Sequence, residues 1–112
     1  MHDRMYPLPS KEFSQRRQEL TPEIDKAFHE FSNAAFADGA LQRKMKELIA
    51  VAVAHTTQCP YCIRSHTQLA LRQGASEREV MEAIWVASEM RAGAAYAHSN
   101  IALEAMADVA HR

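Results

Sequence analysis

The chain has 112 residues, 47% of them apolar, and a formal net charge of −1. That is the size of one domain with room for a core, and the balanced charge offers neither the basic footprint of a nucleic-acid binder nor an acidic tail. The longest apolar run, Leu48 to Ala54, falls far short of the roughly 20 residues that span a bilayer, and the first residues lack the apolar stretch of a secretory signal. The expectation is therefore a single cytoplasmic domain over residues 1–112, with no nucleic-acid or membrane partner.

Composition points to an all-α fold. There are 20 alanines and only three glycines, and no proline follows Pro60, so the second half of the chain is nearly free of helix breakers. Residues 1–20 read as an arm with Pro7 and Pro9, then a short helix capped by Ser10. Thr21-Pro22 is an N-cap followed by a first-turn proline, and Ile24, Phe28, Phe31 and Ala35 recur at helical spacing over about 22 to 37. "ADG" at 37–39 breaks that helix. A third runs from about Leu41 to Thr57, with Leu41, Met45, Leu48, Ile49 and Ala52 expected on its buried face. Its "IAVAVA" alternates as a strand would, but "LQRKMKELIA" before it is built of helix formers with nothing to break it.

Cys59-Pro60 opens a fourth helix, about 60 to 73, which Gly74 closes. "SERE" at 76–79 is a capping box that starts a helix carrying Val80, Ile84 and Ala87 on one stripe, with Trp85 beside it. Gly93 is expected to be a joint before a last helix over about 94 to 109. The architecture expected is a bundle of five to six helices in which an antiparallel helical hairpin carries the C-x2-C at its second helix's N-terminus.

The two cysteines of the chain, Cys59 and Cys62, sit three apart. A bridge across so tight a loop removes little chain entropy, so the pair serves chemistry or metal binding rather than stapling. At a helix start, unsatisfied N–H groups and the helix dipole stabilise a thiolate. His66 lies four residues after Cys62 and seven after Cys59, on the same face, and Arg64 adds positive charge nearby. In a hairpin turning near residue 58, His66 stands level with about residue 50, so Glu47 is only about 5 Å away along the axis at about 1.5 Å per residue. A carboxylate and an imidazole beside a dithiol form a proton relay in outline.

The spacing E-x11-C-x2-C-x3-H, met here as Glu47, Cys59, Cys62 and His66, resembles the signature of the AhpD-like alkylhydroperoxidases within the carboxymuconolactone decarboxylase family. The likeness covers roughly residues 25–108, including "ELIAVAVAHTTQCPYCIRSH" and "GASEREVMEAIWVA". It implies an all-α fold that assembles as a homo-oligomer, a hexamer or trimer, and a thiol-dependent peroxidase that reduces hydroperoxides. In that scheme Cys62 is oxidised to sulfenic acid, Cys59 is proton donor and resolving thiol, and Glu47 with His66 is the relay. No cofactor motif is present, so electrons come from an external dithiol donor. Two departures stand out: Tyr61 occupies the place of a histidine in AhpD, and this chain holds one family unit where AhpD has two. The family's decarboxylases lack the C-x2-C, so their lactone chemistry does not transfer.

Other readings of the same residues remain. His55, Cys59, Cys62 and His66 could supply a tetrahedral zinc site in a non-catalytic or redox-sensing helical protein. CPYC is also a glutaredoxin sequence, although a thioredoxin fold needs a cis-proline after the dithiol. Glu47 alone could be an ordinary helix residue paired with Lys44 or Lys46, and His55 a helix-end residue bonded to a carbonyl.

Overall fold

A computed structural model describes residues 5–111 of the chain; the first four residues of the expected arm lie outside it. Among the described residues there are five α-helices and no strand, so "IAVAVA" is helical. The chain divides between Ala37 and Asp38 into two compact units.

The first unit holds α1 (Lys11–Leu20) and α2 (Pro22–Phe36). Ser10 caps α1 as its sequence suggests, its Oγ accepting the Phe13 N–H at 3.1 Å. Thr21 precedes Pro22 at the head of α2 but makes no side-chain cap. Its hydroxyl donates instead to the Arg17 carbonyl at 3.1 Å, closing the end of α1. No residue of either helix is buried, and Ile24, Phe28 and Phe31 remain exposed.

The second unit holds α3 (Arg43–Thr57), α4 (Pro60–Arg72) and α5 (Glu77–Ala110). Gln42 heads α3 without a side-chain bond. Asp38, from the "ADG" break, fills that role, its Oδ1 accepting the Arg43 N–H at 2.7 Å. Gln58, in the left-handed region (φ 58°, ψ 45°), ends α3, and the Cys59 N–H returns to the Ala54 carbonyl at 3.1 Å. Through this two-residue connection α4 runs back along α3.

Gly74 (φ 95°) ends α4 in a Schellman arrangement. Its N–H donates to the Leu71 carbonyl and the Ala75 N–H to the Ala70 carbonyl, both at 3.0 Å. The paired apolar contact of that motif is present too, since Ala70 and Ala75 share the buried core with Val51 and Val80, with Leu48 and Ile84 packed against them. Ser76 and Glu79 form the expected capping box, with reciprocal bonds of 3.0 and 2.9 Å. Lys44 ties α3 to the start of α5 through Glu79 at 3.0 Å. Farther along, the Arg91 guanidinium donates to the Thr56 carbonyl at the end of α3, 2.8 Å away.

Two expectations change. Gly93 is no joint: α5 continues through it for 34 residues, because one glycine among good helix formers costs only about 1 kcal/mol and removes no hydrogen bond. The buried stripe of α3 is Glu47, Val51 and Ala54, while Leu41 lies before the helix and Met45 and Ile49 are exposed. A pattern drawn from apolar residues alone could not find a core face that begins with a carboxylate. Trp85 is 67% exposed and outside the core.

Candidate functional site

Glu47 is the most enclosed charged group among the described residues, at 0% exposure. Burying a carboxylate is costly unless both oxygens find donors, and here they do. Oε1 lies 2.7 Å from His66 Nδ1, and Oε2 accepts from Arg43 Nε at 3.2 Å. The first contact joins the early turns of α3 to the middle of α4, nineteen residues apart in sequence. With Nδ1–H directed at a carboxylate, Nε2 is the ring nitrogen that can accept a proton. His66 itself is only partly covered, its side chain 23% exposed.

One turn before His66 is Cys62, and at the head of the same helix is Cys59. Cys59 is the N-cap residue of α4 (φ −98°, ψ 106°), and its Sγ accepts the Cys62 N–H at 3.3 Å. The Cys59 S–H in turn donates to the Cys62 sulfur across 2.7 Å. These bonds separate the two thiols. The hydrogen-bonded contact with the Cys62 side chain, then the Cys62 and Tyr61 backbone N–H groups, hold Cys59 below the ordinary thiol value. Cys62 is pushed up, first by its hydrogen-bonded contact with the Cys59 side chain, then by burial and by the charge of Cys59 beside it.

The structure thus brings together Glu47 with His66 and Cys59 with Cys62, in one hairpin. His55 stands apart, its Nδ1 bonded to the Val51 carbonyl at 2.7 Å as a histidine within its own helix. Among the described residues no three His, Cys, Asp or Glu side chains are grouped to share a metal ion, so the four-ligand zinc set is not assembled. The glutaredoxin reading fails on topology, since a helix and not a strand leads into CPYC.

Arg43 is the residue that sequence reasoning missed. Helical geometry held the signal: Arg43 and Lys44 lie four and three residues before Glu47, whereas Lys46, its immediate neighbour, faces elsewhere. Lys44 is engaged by Glu79, which leaves Glu47 to Arg43.

A cysteine pair at the head of a helix, followed on that helix by a histidine bonded to a buried carboxylate from the helix beside it, defines an all-α dithiol protein. The chain belongs to the carboxymuconolactone decarboxylase family, whose sequence profile matches residues 22–105. An uncharacterised protein of the cox locus of Paracoccus denitrificans is 59% identical over 86 residues, 77% of this chain and 78% of that one. A family member from Legionella pneumophila is 36% identical, with a TM-score of 0.67 over 84% of each chain. A Thermotoga maritima family member, described as a candidate for an antioxidative response, is 26% identical, with a TM-score of 0.55 over 72% of this chain and 93% of its own. No helix among the described residues is long and apolar enough to cross a membrane.

Proposed function

We propose that this protein is a thiol-dependent peroxidase of the AhpD-like type, reducing hydroperoxides through a Cys59–Cys62 dithiol/disulfide cycle with Glu47 and His66 as proton relay. The observation that carries the reading is the 2.7 Å bond between fully buried Glu47 and His66 Nδ1, one helical turn from a thiol whose sulfur already accepts the S–H of a second. A thiolate attacks the hydroperoxide, the second thiol then forms the disulfide, and a base must accept its proton. Glu47 fixes the imidazole's orientation and stabilises the imidazolium that forms, as a carboxylate does behind any histidine base.

The cycle returns to the dithiol through an external dithiol donor, within the reducing cytoplasm. The same reading includes a homo-oligomer, a trimer or hexamer. Its support is the apolar surface left open on one chain: Phe28 and Phe31 on α2, and Tyr96, Ile101 and Met106 along the last turns of α5.

The test is thiol counting. Reduced protein mixed with one equivalent of tert-butyl hydroperoxide should lose two thiols and yield one intramolecular disulfide, seen as a two-dalton mass decrease. Retention of both thiols against a hydroperoxide excess sinks the reading. Sedimentation that finds only monomer removes the oligomer.

A further inference from the structure

We propose that Arg43 is a positioning residue of the relay: its guanidinium holds the second oxygen of Glu47, keeps that enclosed group charged, and so fixes the ring proton of His66 on Nδ1. This role rests on the peroxidase reading above and adds to it a residue that lies outside the Glu47, Cys59, Cys62 and His66 signature.

Glu47 is fully enclosed, and a carboxylate away from water keeps its charge only where charge and hydrogen bonds replace its hydration. His66 Nδ1 takes one oxygen, Oε1, at 2.7 Å. A histidine can act as a base only while neutral, however, and in that state it brings no positive charge. The counter-charge is Arg43, whose Nε donates to Oε2 at 3.2 Å. Lys44, the next cation along α3, is drawn to Glu79 across 3.0 Å.

The placement of Arg43 suits this role. It lies four residues before Glu47 on α3, a spacing that stacks the two side chains on one face, and its backbone N–H is fixed by Asp38 Oδ1 at 2.7 Å. On its outer side it lines an open cleft of about 490 Å³ with Asp38, Gln42, Lys44 and Gln73, which Glu47 does not reach. Arg43 is thus the layer between that cleft and the carboxylate.

The consequence falls on the imidazole. While Glu47 is charged and accepts at Oε1, the ring proton stays on Nδ1, and Nε2 keeps its lone pair for the proton released as the disulfide closes. Without the guanidinium the enclosed carboxylate loses its counter-charge and one donor. It then takes up a proton, and a protonated carboxyl donates to Nδ1 instead of accepting from it. The ring proton moves to Nε2, where the relay needs a lone pair.

The ring can be read before any peroxide is added. Heteronuclear NMR of isotope-labelled histidine in reduced full-length protein, at a pH where the ring is neutral, should show His66 protonated on Nδ1 in the wild type and in Arg43→Lys, which keeps the charge. In Arg43→Ala most of the population should carry the proton on Nε2. After a hydroperoxide pulse, disulfide closure should be about fivefold slower or more in Arg43→Ala, and within about threefold of wild type in Arg43→Lys. Circular dichroism is the folding control. If the alanine variant does not fold, Arg43→Gln, which keeps an amide donor but no charge, takes its place with the same expected tautomer and rate. An uncharged variant whose His66 stays protonated on Nδ1 overturns the proposal. So does a lysine variant that matches the alanine one, since charge would then not be what Arg43 supplies. Wild-type protein that leaves hydroperoxide untouched would sink the peroxidase reading, while the tautomer shift would still identify Arg43 as the group that places the His66 proton.

Discussion

Replacing Glu47 by glutamine changes almost no volume and removes one charge. Two donors converge on the native carboxylate, His66 Nδ1–H at 2.7 Å and Arg43 Nε–H at 3.2 Å, and an amide offers one oxygen and one NH2. One donor must therefore meet another. If the oxygen faces His66, Arg43 is turned away; its side chain is 43% exposed, so water can receive it at little cost. If the NH2 faces His66, Nδ1 must accept, the tautomer inverts, and Nε2 becomes a donor that cannot take a proton. Even in the better orientation a charge-assisted bond becomes a neutral one, roughly half as strong. Charge-assisted bonds contribute about 1.5–3 kcal/mol, so the imidazolium formed during proton transfer loses about 0.8–1.5 kcal/mol of stabilisation. At 1.4 kcal/mol per decade the resolving step slows by about 3- to 12-fold. Stability should move by less than about 2 kcal/mol, since removing a buried charge offsets part of the lost bonding. The assay is the rate of disulfide formation after a hydroperoxide pulse, read by quenched thiol counting, with circular dichroism as the control for folding. A Glu47→Gln protein that closes the disulfide within twofold of the wild-type rate refutes the relay.

Other outcomes follow from the same geometry. Titrating thiolate absorbance in the reduced protein should give two steps, one below and one above the ordinary thiol value of 9.0; a single two-thiol step at that value contradicts the bond between the sulfurs. Ser76→Ala removes the capping box of α5 and should cost about 1 kcal/mol by denaturant unfolding. Glu79 is held below 4.5 first by the Ser76 backbone N–H and then by Lys44, so its contribution is present above pH 4.5 and lost as pH falls through the lower folded-state value. Glu79→Gln should flatten that part of the acid limb, and an unchanged limb argues against both contacts. Gly93→Ala should stabilise by about 0.5–1 kcal/mol, because the helix is continuous there and the added Cβ meets only the movable end of Glu89, with Oε1 at 3.3 Å. Destabilisation would reinstate a joint.

Most helix ends were legible because local chemistry sets them: Ser10, Pro22, Pro60, Gly74 and the Ser76–Glu79 box each act within a few residues. The Glu47–His66 meeting was legible for a related reason, since a tight turn between two regular helices fixes which residues come level. What escaped depended on partners distant in sequence or on competition between neighbours. Nothing local says that Lys44 will be drawn to Glu79 and so leave Glu47 to Arg43. The true inner face of α3 was hidden for the same reason, since a glutamate joins a core only when donors from elsewhere accompany it. At the dithiol, spacing alone placed both sulfurs at a helix start but could not say how they would be bonded to each other.

The connection between α3 and α4 has no slack. Gln58 alone bends the backbone, and Cys59 is bonded at once to the helix behind it, through Ala54, and to the helix ahead, through Cys62. An α-helix turns about 100° per residue, so one residue inserted between Thr57 and Cys59 would shift the phase of α4 against α3. It would swing His66 off Glu47 even if both helices survived intact. Loop length, elsewhere among the most forgiving properties of a protein, is here part of the candidate site's geometry, and a length polymorphism at this turn should abolish the Glu47–His66 bond as surely as loss of either side chain.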